Sequence, residues 1–505
     1  MIGTATKMVR DTAMFAGAQM RCGALRRART LAAVVLCTCA SIGGAKAQPI
    51  TLEGAIRGAL RSDNILIQQQ DENVKGAAAG VQQAAGTFDW NVSAQGGWQE
   101  LYVPKPVNGV LTDQTATVGS YYYSANIGRE FRNGITVAPG ITAYPGAGAS
   151  PAQTAGLTEL RPSLGLKIPL LRGLGEESAD AGERAAKDVL RSTRLSRTFA
   201  IAQVVGSVVQ TFWRCLADEQ VAQISKDADR NALGYEDTLH KMVQKGLLEP
   251  TVAQQWSANQ VTRHLDVQRT ADAVQLCLRD LAYATTGDLN DPSPIPSGEL
   301  PRVDDLKNAV DRLNAAVLVQ VALDSRRDFQ AAKQNVEAAI ERLKSARSST
   351  SPELDLHIEP ESAIVSYSQS IQNNAAEGQE AAAQAARNQA QLVLQQLQNQ
   401  ITMDVADTVH SLQQTALDWG SLDAAERQME SVVHDANRRA QYGSIDWSAF
   451  LGAQDQMVQL QRQVLNTRLQ FAIGLATLRL ATGTVELDAS TPATIATTFA
   501  TLPAR

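Results

Sequence analysis

Apolar residues recur at spacings of three and four over most of this chain, and at spacing two over one segment. Ile201, Val205, Val208, Phe212 and Leu216 form one such stripe, in a stretch from Glu176 to about Gln244 free of proline and turn clusters. The spacing predicts a helix of roughly 70 residues, on the order of 100 Å long. A helix of that length has no globular core to bury it and must lie along other helices. Val261, Leu265, Val274, Leu278 and Leu281 continue the pattern after Gly246 and Pro250. Leu394, Leu397, Ile401, Val405, Val409 and Leu412 make a third stripe. Met457, Leu460, Val464, Phe471, Leu475 and Leu478 make a fourth, beyond Gly443, with Arg468 in the gap after Val464. An arginine there lays its stem along the seam and keeps its head in water. Sustained spacing of this kind predicts antiparallel coiled-coil pairs.

The pattern is written twice. QKGLLEP at 244 and QYGSIDW at 441 are each followed, about 40 residues on, by a second glycine, Gly287 and Gly483. Upstream, ALRSDNILIQQQDENVKGAAAGVQQA (59–84) resembles ALDSRRDFQAAKQNVEAAIERLKSA (322–346), and Ala77 and Ala84 permit close helix approach. The reading is an internal duplication: residues 48–287 as a first repeat, a proline-rich linker at 288–303, a second repeat at 304–485 and a polar C-terminal tail at 486–505.

Residues 91–170 change character, rich in Gly, Tyr, Ser and Thr and poor in charge. Four stretches read as strands: Val92–Val103, Ser120–Phe131, Ile135–Tyr144 and Leu160–Ile168, with Asn133-Gly134 as a hairpin signal. Trp98, Tyr121 and Tyr123 suit an interfacial aromatic girdle. Pro169 ends the last strand and Gly173-Leu174-Gly175 turns the chain into the long helix. The second repeat holds only a shortened counterpart near 354–375, too short for two spanning strands of about 9–11 residues each. Either this second hairpin has degenerated, or the four strand-like stretches of the first repeat supply the whole contribution, which is the reading favoured here.

Composition and charge narrow the function. Arg26, Arg27 and Arg29, the apolar run Leu31 to Ile42 and Ala45-Lys46-Ala47 read as a signal peptide over 1–47, with Met20 as an alternative start. Its removal takes the net charge from −6 to −12, which argues against a nucleic-acid partner. After the signal no run approaches 18 unbroken apolar residues, so strands rather than an apolar helix would have to cross a membrane. Cys215 and Cys277 survive processing into an oxidising compartment. Each lies 31 positions from Gly246, on opposite arms of one hairpin. They are read either as a disulfide or as small buried apolar residues.

TLEGAIRGAL at 51–60, the Ala-rich helix entering a strand at Thr87-Phe88-Asp89, LKIPLLRG at 166–173 and the glycine turns Gly246 and Gly443 occur in an order that resembles the outer-membrane efflux proteins, the TolC-like channels. The resemblance covers about residues 50–485. It implies a mainly helical protein in which long antiparallel coiled-coil helices from three copies build an α-barrel, with strands contributed to one shared transmembrane β-barrel. It implies a homotrimer in the outer membrane of a Gram-negative bacterium, a periplasmic adaptor and an inner-membrane pump. Gly246, Leu247 and Leu248, with Gly443, Ser444 and Ile445, would form the adaptor-docking tip. Where relatives carry an acidic ring this chain has Ala449 and Gly452, so Asp446 and Asp455 are the candidates for a tunnel constriction.

No catalytic motif is visible: no HExxH, GxSxG, Walker loop or CxxC. His240, His264, His357, His410 and His434 are scattered, so neither an enzyme, a metal site nor a cofactor is expected. The rival reading is a periplasmic coiled-coil scaffold or adaptor that forms no pore. Two helical hairpins per chain oppose it.

Overall fold

The computed structural model describes residues 49–61, 64–107, 110–145, 158–286, 294–441, 446–485, 487 and 491–503. The chain opens with helices α1 (Leu52–Ala59) and α2 (Ile65–Ala85). Four strands follow: β1 (Asn91–Val107), β2 (Val110–Glu130), β3 (Thr136–Pro145) and β4 (Thr158–Pro169). The short α3 (Glu176–Ala179) leads into α4 (Ala181–Gln244) and its return helix α5 (Pro250–Thr286). The second half runs through α6 (Val303–Val310), α7 (Ala315–Ser325) and α8 (Arg327–Thr350) to strands β5 (Glu353–Glu359) and β6 (Ser362–Ser368). It ends with α9 (Asn374–Gln441), α10 (Trp447–Thr482) and α11 (Pro492–Phe499).

Helices α4 and α9 contain 64 and 68 residues, or about 96 and 102 Å at 1.5 Å per residue. They are too long to be enclosed, and each lies along several others. α4 packs on α2, α5, α8 and α10, and α9 on α7, α8 and α10. Val205, Val208, Phe212 and Leu216 are buried, as are Ile401, Val405, Val409 and Leu412. One 18-residue window of α4 reaches a mean hydropathy of 1.2, and packing against α1, α5 and α10 accounts for its apolar residues. Two glycines let axes approach: a Cβ on Gly206 would sit 2.4 Å from Leu480, and one on Gly474 2.7 Å from Leu412. The α5 stripe divides. Leu278 and Leu281 are buried, while Val261 and Leu265 stand exposed on a face of the helix that the other described elements leave uncovered. Arg468 is half-buried, and its guanidinium lies 5.8 Å from the centroid of Trp419.

Two cores organise the helices. One joins α1, the middle of α4, the end of α5, α10 and α11 around Trp213, Phe212 and Leu281. The other joins α6, α7, α9 and α10 around Ile401, Phe471 and Leu475. The 486–505 stretch carries a helix, α11, with Ile495 and Phe499 buried in the first core. Arg479 holds the segment after it, donating to the carbonyl of Thr501 at 3.1 Å and to that of Leu502. Of the 288–303 stretch, Ile295 and Ser297 pair with the backbone of Ile50 at 3.0 and 2.8 Å, and Leu300 is buried.

The six strands form one antiparallel sheet in the order β1-β2-β3-β4-β5-β6. This corrects the expectation that the first repeat alone supplies the strands. β5 and β6 are only seven residues each, but Pro360-Glu361 turns them into a hairpin of seven residue pairs, and four residues of β5 pair with the end of β4. Short strands suffice because an existing sheet edge supplies their partners. The contact with β4 runs only from Leu166↔Ile358 to Pro169↔Asp355.

Candidate membrane sheet and helical tip

Register sorts the sheet into two faces. Asn91, Ser93 and Gln95 of β1 share a face with Gly128, Asn126 and Ser124 of β2. That face continues through Gly140 and Thr142, Ser163, Arg161 and Lys167, Asp355 and His357, and ends at Ser366. It is polar. The opposite face carries Val92, Ala94 and Trp98, Ile127, Ala125, Tyr123 and Tyr121. It runs on through Val137, Pro139 and Ile141, Leu160, Leu164, Leu166 and Ile168, Leu356 and Ile358, and ends at Val365. It is apolar, and Trp98, Tyr121, Tyr123, Ile141, Leu160 and Val365 are all exposed. A soluble sheet would cover such a face with helices. Among the described side chains on it, the charged ones are Arg129 near the helical end and Glu100 toward the other end. Ten residues of strand span about 34 Å, or about 26 Å of height at a tilt of about 40°, close to the ~25 Å apolar band of outer-membrane barrels.

Ion pairs tie sheet to helix, helix to helix and strand to strand at the helical end of the sheet. Arg132, in the β2–β3 turn, meets Glu183 of α4 through Nε–Oε2 at 2.7 Å and Nη2–Oε1 at 3.1 Å, and Lys187 adds a contact at 2.8 Å. The hydrogen bond from Arg132, with help from Lys187, outweighs burial and holds the Glu183 carboxyl below its ordinary range. Arg184 reaches Glu341 of α8 at 2.8 Å. Lys167 of β4 bridges Glu353 and Asp355 of β5 at 3.1 and 2.8 Å. Gly134 is forced by the fold: its φ is +86°, and a Cβ there would lie 2.2 Å from the Gly173 carbonyl oxygen.

At the far end, α4 stops in a glycine cap. Gly246 has φ +68°, its N–H reaches Val243 O at 3.0 Å, and Leu247 N–H reaches Met242 O at 2.9 Å. Leu247 is exposed beyond this cap, and Leu248 is half-buried. Gly443, Ser444 and Ile445 lie outside the described residues. Asp446 caps α10, its Oδ1 accepting from Ser448 N–H at 2.9 Å and Ala449 N–H at 3.3 Å. The Ser448 hydroxyl and these amides hold its carboxyl below the ordinary aspartate range. Asp455 pairs with Arg263 of α5 at 2.7 Å. Between these helices four rings cluster. Tyr235 lies edge-on to Trp256, Trp447 and Phe450, with centroids 6.0, 6.1 and 5.2 Å away, and Trp256 stacks on Phe450 at 6.3 Å. Tyr235 donates to Asn437 at 2.6 Å and Trp256 to the Ala232 carbonyl at 3.2 Å. The cluster joins the α4–α5 hairpin to the α9–α10 hairpin.

Cys215 and Cys277 are joined, with sulfurs 2.05 Å and Cα atoms 5.4 Å apart. The structure thus brings Asp455 against α5 and the cysteines against each other, and it leaves Leu247 facing outward. Residue spacing did not point to the aromatic cluster. Its sequence signal was the gathering of Tyr235, Trp256, Trp447 and Phe450 within eleven positions of Gly246 or Gly443 in an aromatic-poor chain. Among the described residues no group of three or more His, Cys, Asp and Glu is placed to hold a metal.

Long coiled helices rooted on a two-faced antiparallel sheet define a known fold class, and solved structures share it. The CmeC outer membrane channel of Campylobacter jejuni matches with a TM-score of 0.63 at 14% identity, covering 88% of this chain and 87% of that one. The outer membrane protein VceC of Vibrio cholerae matches with a TM-score of 0.62 at 16% identity, covering 86% and 96%. The MtrE outer membrane channel of Neisseria gonorrhoeae matches with a TM-score of 0.60 at 13% identity, covering 86% and 88%. No family model and no curated protein matches the sequence. The TolC-like fold expected from the sequence is the fold this chain has.

Proposed function

We propose that the chain is one protomer of an outer-membrane channel, a passive exit duct from periplasm to exterior in a tripartite efflux or type I secretion system. The observation that carries this reading is the two-faced sheet, apolar on one side and polar on the other, standing on helices of 64 and 68 residues. The apolar face meets outer-membrane lipid and the polar face lines water. Two of the proteins that share the fold are named as outer membrane channels. Neither face of the sheet nor the exposed part of the α5 stripe is completed within one chain, so a homotrimer supplies the missing neighbours. The tip formed by Gly246, Leu247 and Leu248 with Gly443, Ser444 and Ile445 docks a periplasmic adaptor, which links the duct to an inner-membrane pump. Asp446 and Asp455 narrow the tunnel there, the charge of Asp455 being offset by Arg263.

The test is electrical. Purified protein added to planar lipid bilayers should give discrete conductance steps, and imaging should show three copies around one lumen. Absence of current together with a solid rod in the images would overturn the reading.

A further inference from the structure

Arg129 is out of place for a residue on the apolar face of a membrane sheet. It shares the face of Ile127 and Val137 at the end of β2. Its guanidinium lies 5.7 Å from the ring centroid of Trp90 and 5.2 Å from that of Phe131. Its Nε–H donates to the Phe88 carbonyl at 2.8 Å, which fixes the plane of the group. Among the described residues no carboxylate pairs with it. The neighbouring Arg132 is different: its charge is taken up by Glu183. Trp90, Phe131, Leu170 and Leu171 are exposed around this end of the sheet. An exposed tryptophan and phenylalanine flanking an arginine whose terminal amino groups have no hydrogen-bond partner among the described residues make a surface that is apolar on one side and cationic on the other. Guanidinium offers parallel N–H donors matched to two oxygens of a phosphate.

We propose that Arg129, held between Trp90 and Phe131, binds the phosphodiester of an anionic phospholipid at the helical end of the barrel. The lipid's acyl chains lie along Ile127, Val137 and Leu166, and its headgroup meets the guanidinium. The height fits: Arg129 and Glu100 stand about 26 Å apart along the barrel axis by strand geometry, one at each border of the apolar band. This site rests on reading the sheet as a membrane wall.

The test uses the full chain reconstituted into vesicles of phosphatidylethanolamine with phosphatidylglycerol, then extracted in mild detergent. Native mass spectrometry counts the phosphatidylglycerol retained by wild type, Arg129→Gln and Arg129→Lys. Arg129→Gln should retain it about fivefold less well, the effect of one basic residue at an anionic surface, and Arg129→Lys should retain more than Arg129→Gln. Added inorganic phosphate should not displace the lipid. Retention by Arg129→Gln equal to wild type would overturn the site, as would equal loss in both variants or displacement by inorganic phosphate, which would mark a free-anion site. Insertion of wild type into the same vesicles is scored separately by its protection from added protease. If wild type fails to insert, the membrane wall itself falls and the site with it. Insertion with unchanged lipid retention overturns the headgroup site alone.

Discussion

Arg132 and Glu183 meet through two nitrogen–oxygen contacts, 2.7 and 3.1 Å, across 51 positions of sequence. They join the β2–β3 turn to the first turn of α4, where sheet becomes helix. Glu183 is buried and Arg132 is about half-exposed, so removing the acid should cost about 2–3 kcal/mol, less than the 3–5 of a fully enclosed pair. The carboxyl titrates below its ordinary value of 4.5. Its contribution is therefore complete above that value and is lost as pH falls through the lowered one. Glu183→Gln should unfold at a lower temperature at pH 7 and show a smaller further loss than wild type on acidification, measured by thermal melts across pH 3–7.

The two faces of the sheet give opposite responses to charge. Ile141 lies on the apolar face and Ser163 on the polar one. Ile141→Arg should cost about 2–4 kcal/mol of membrane insertion, seen as loss of protein from outer-membrane fractions. Ser163→Arg should leave the amount unchanged and alter ion selectivity. Equal behaviour of the pair would contradict the assignment of faces.

Linking Cys215 to Cys277 closes a sequence separation of 62. Chain-entropy reasoning gives about 4 kcal/mol for a loop of that length. Cys215→Ser with Cys277→Ser should lower the denaturation midpoint, and wild type treated with a reductant should fall to the same value. Thiol labelling of unfolded, unreduced protein should find no free cysteine at either position.

Gly246 at φ +68° sits where a side chain is strained. Gly246→Val should cost about 1–2 kcal/mol by forcing a β-branched residue into the left-handed region, and Gly246→Asn should cost less. The loss should be local, read as faster hydrogen exchange around Met242–Leu248.

Trp447 anchors the aromatic cluster at the tip. Trp447→Ala should cost about 3–5 kcal/mol of local stability, and Tyr235→Phe, which removes the bond to Asn437, about 1 kcal/mol. Proteolysis between the two helical hairpins should quicken more in the first variant than in the second.

Much of the architecture was legible from residue spacing. The stripe from Val205 to Leu216 and the one from Ile401 to Leu412 are buried as the three-four rhythm requires. The strands run longer than expected, β1 to Val107 and β2 from Val110, because polar and small residues extend a paired ladder where apolar alternation has faded. The β5–β6 hairpin was legible only as a shortened counterpart, and its pairing was not, for an energetic reason. Seven-residue strands look insufficient alone, and their stability comes from the edge of β4, 186 positions away between Lys167 and Glu353. The tip cluster was hidden likewise, since Tyr235 and Asn437 meet across 202 positions. Exposure of Val261 and Leu265 shows the limit of periodicity: it marks a face that wants a neighbour and is silent on whether the same chain provides it.

β5 covers β4 only from Leu166 to Pro169, so among the described residues no strand pairs with the outward edge of β4 from Thr158 to Gly165. In hydrocarbon each unpaired backbone group costs several kcal/mol. A solitary molecule would therefore be expelled from the bilayer by its own backbone. If the chain is the channel protomer proposed above, entry into the membrane and association with other copies form a single cooperative event, and the yield of inserted protein should rise more steeply than linearly with its concentration.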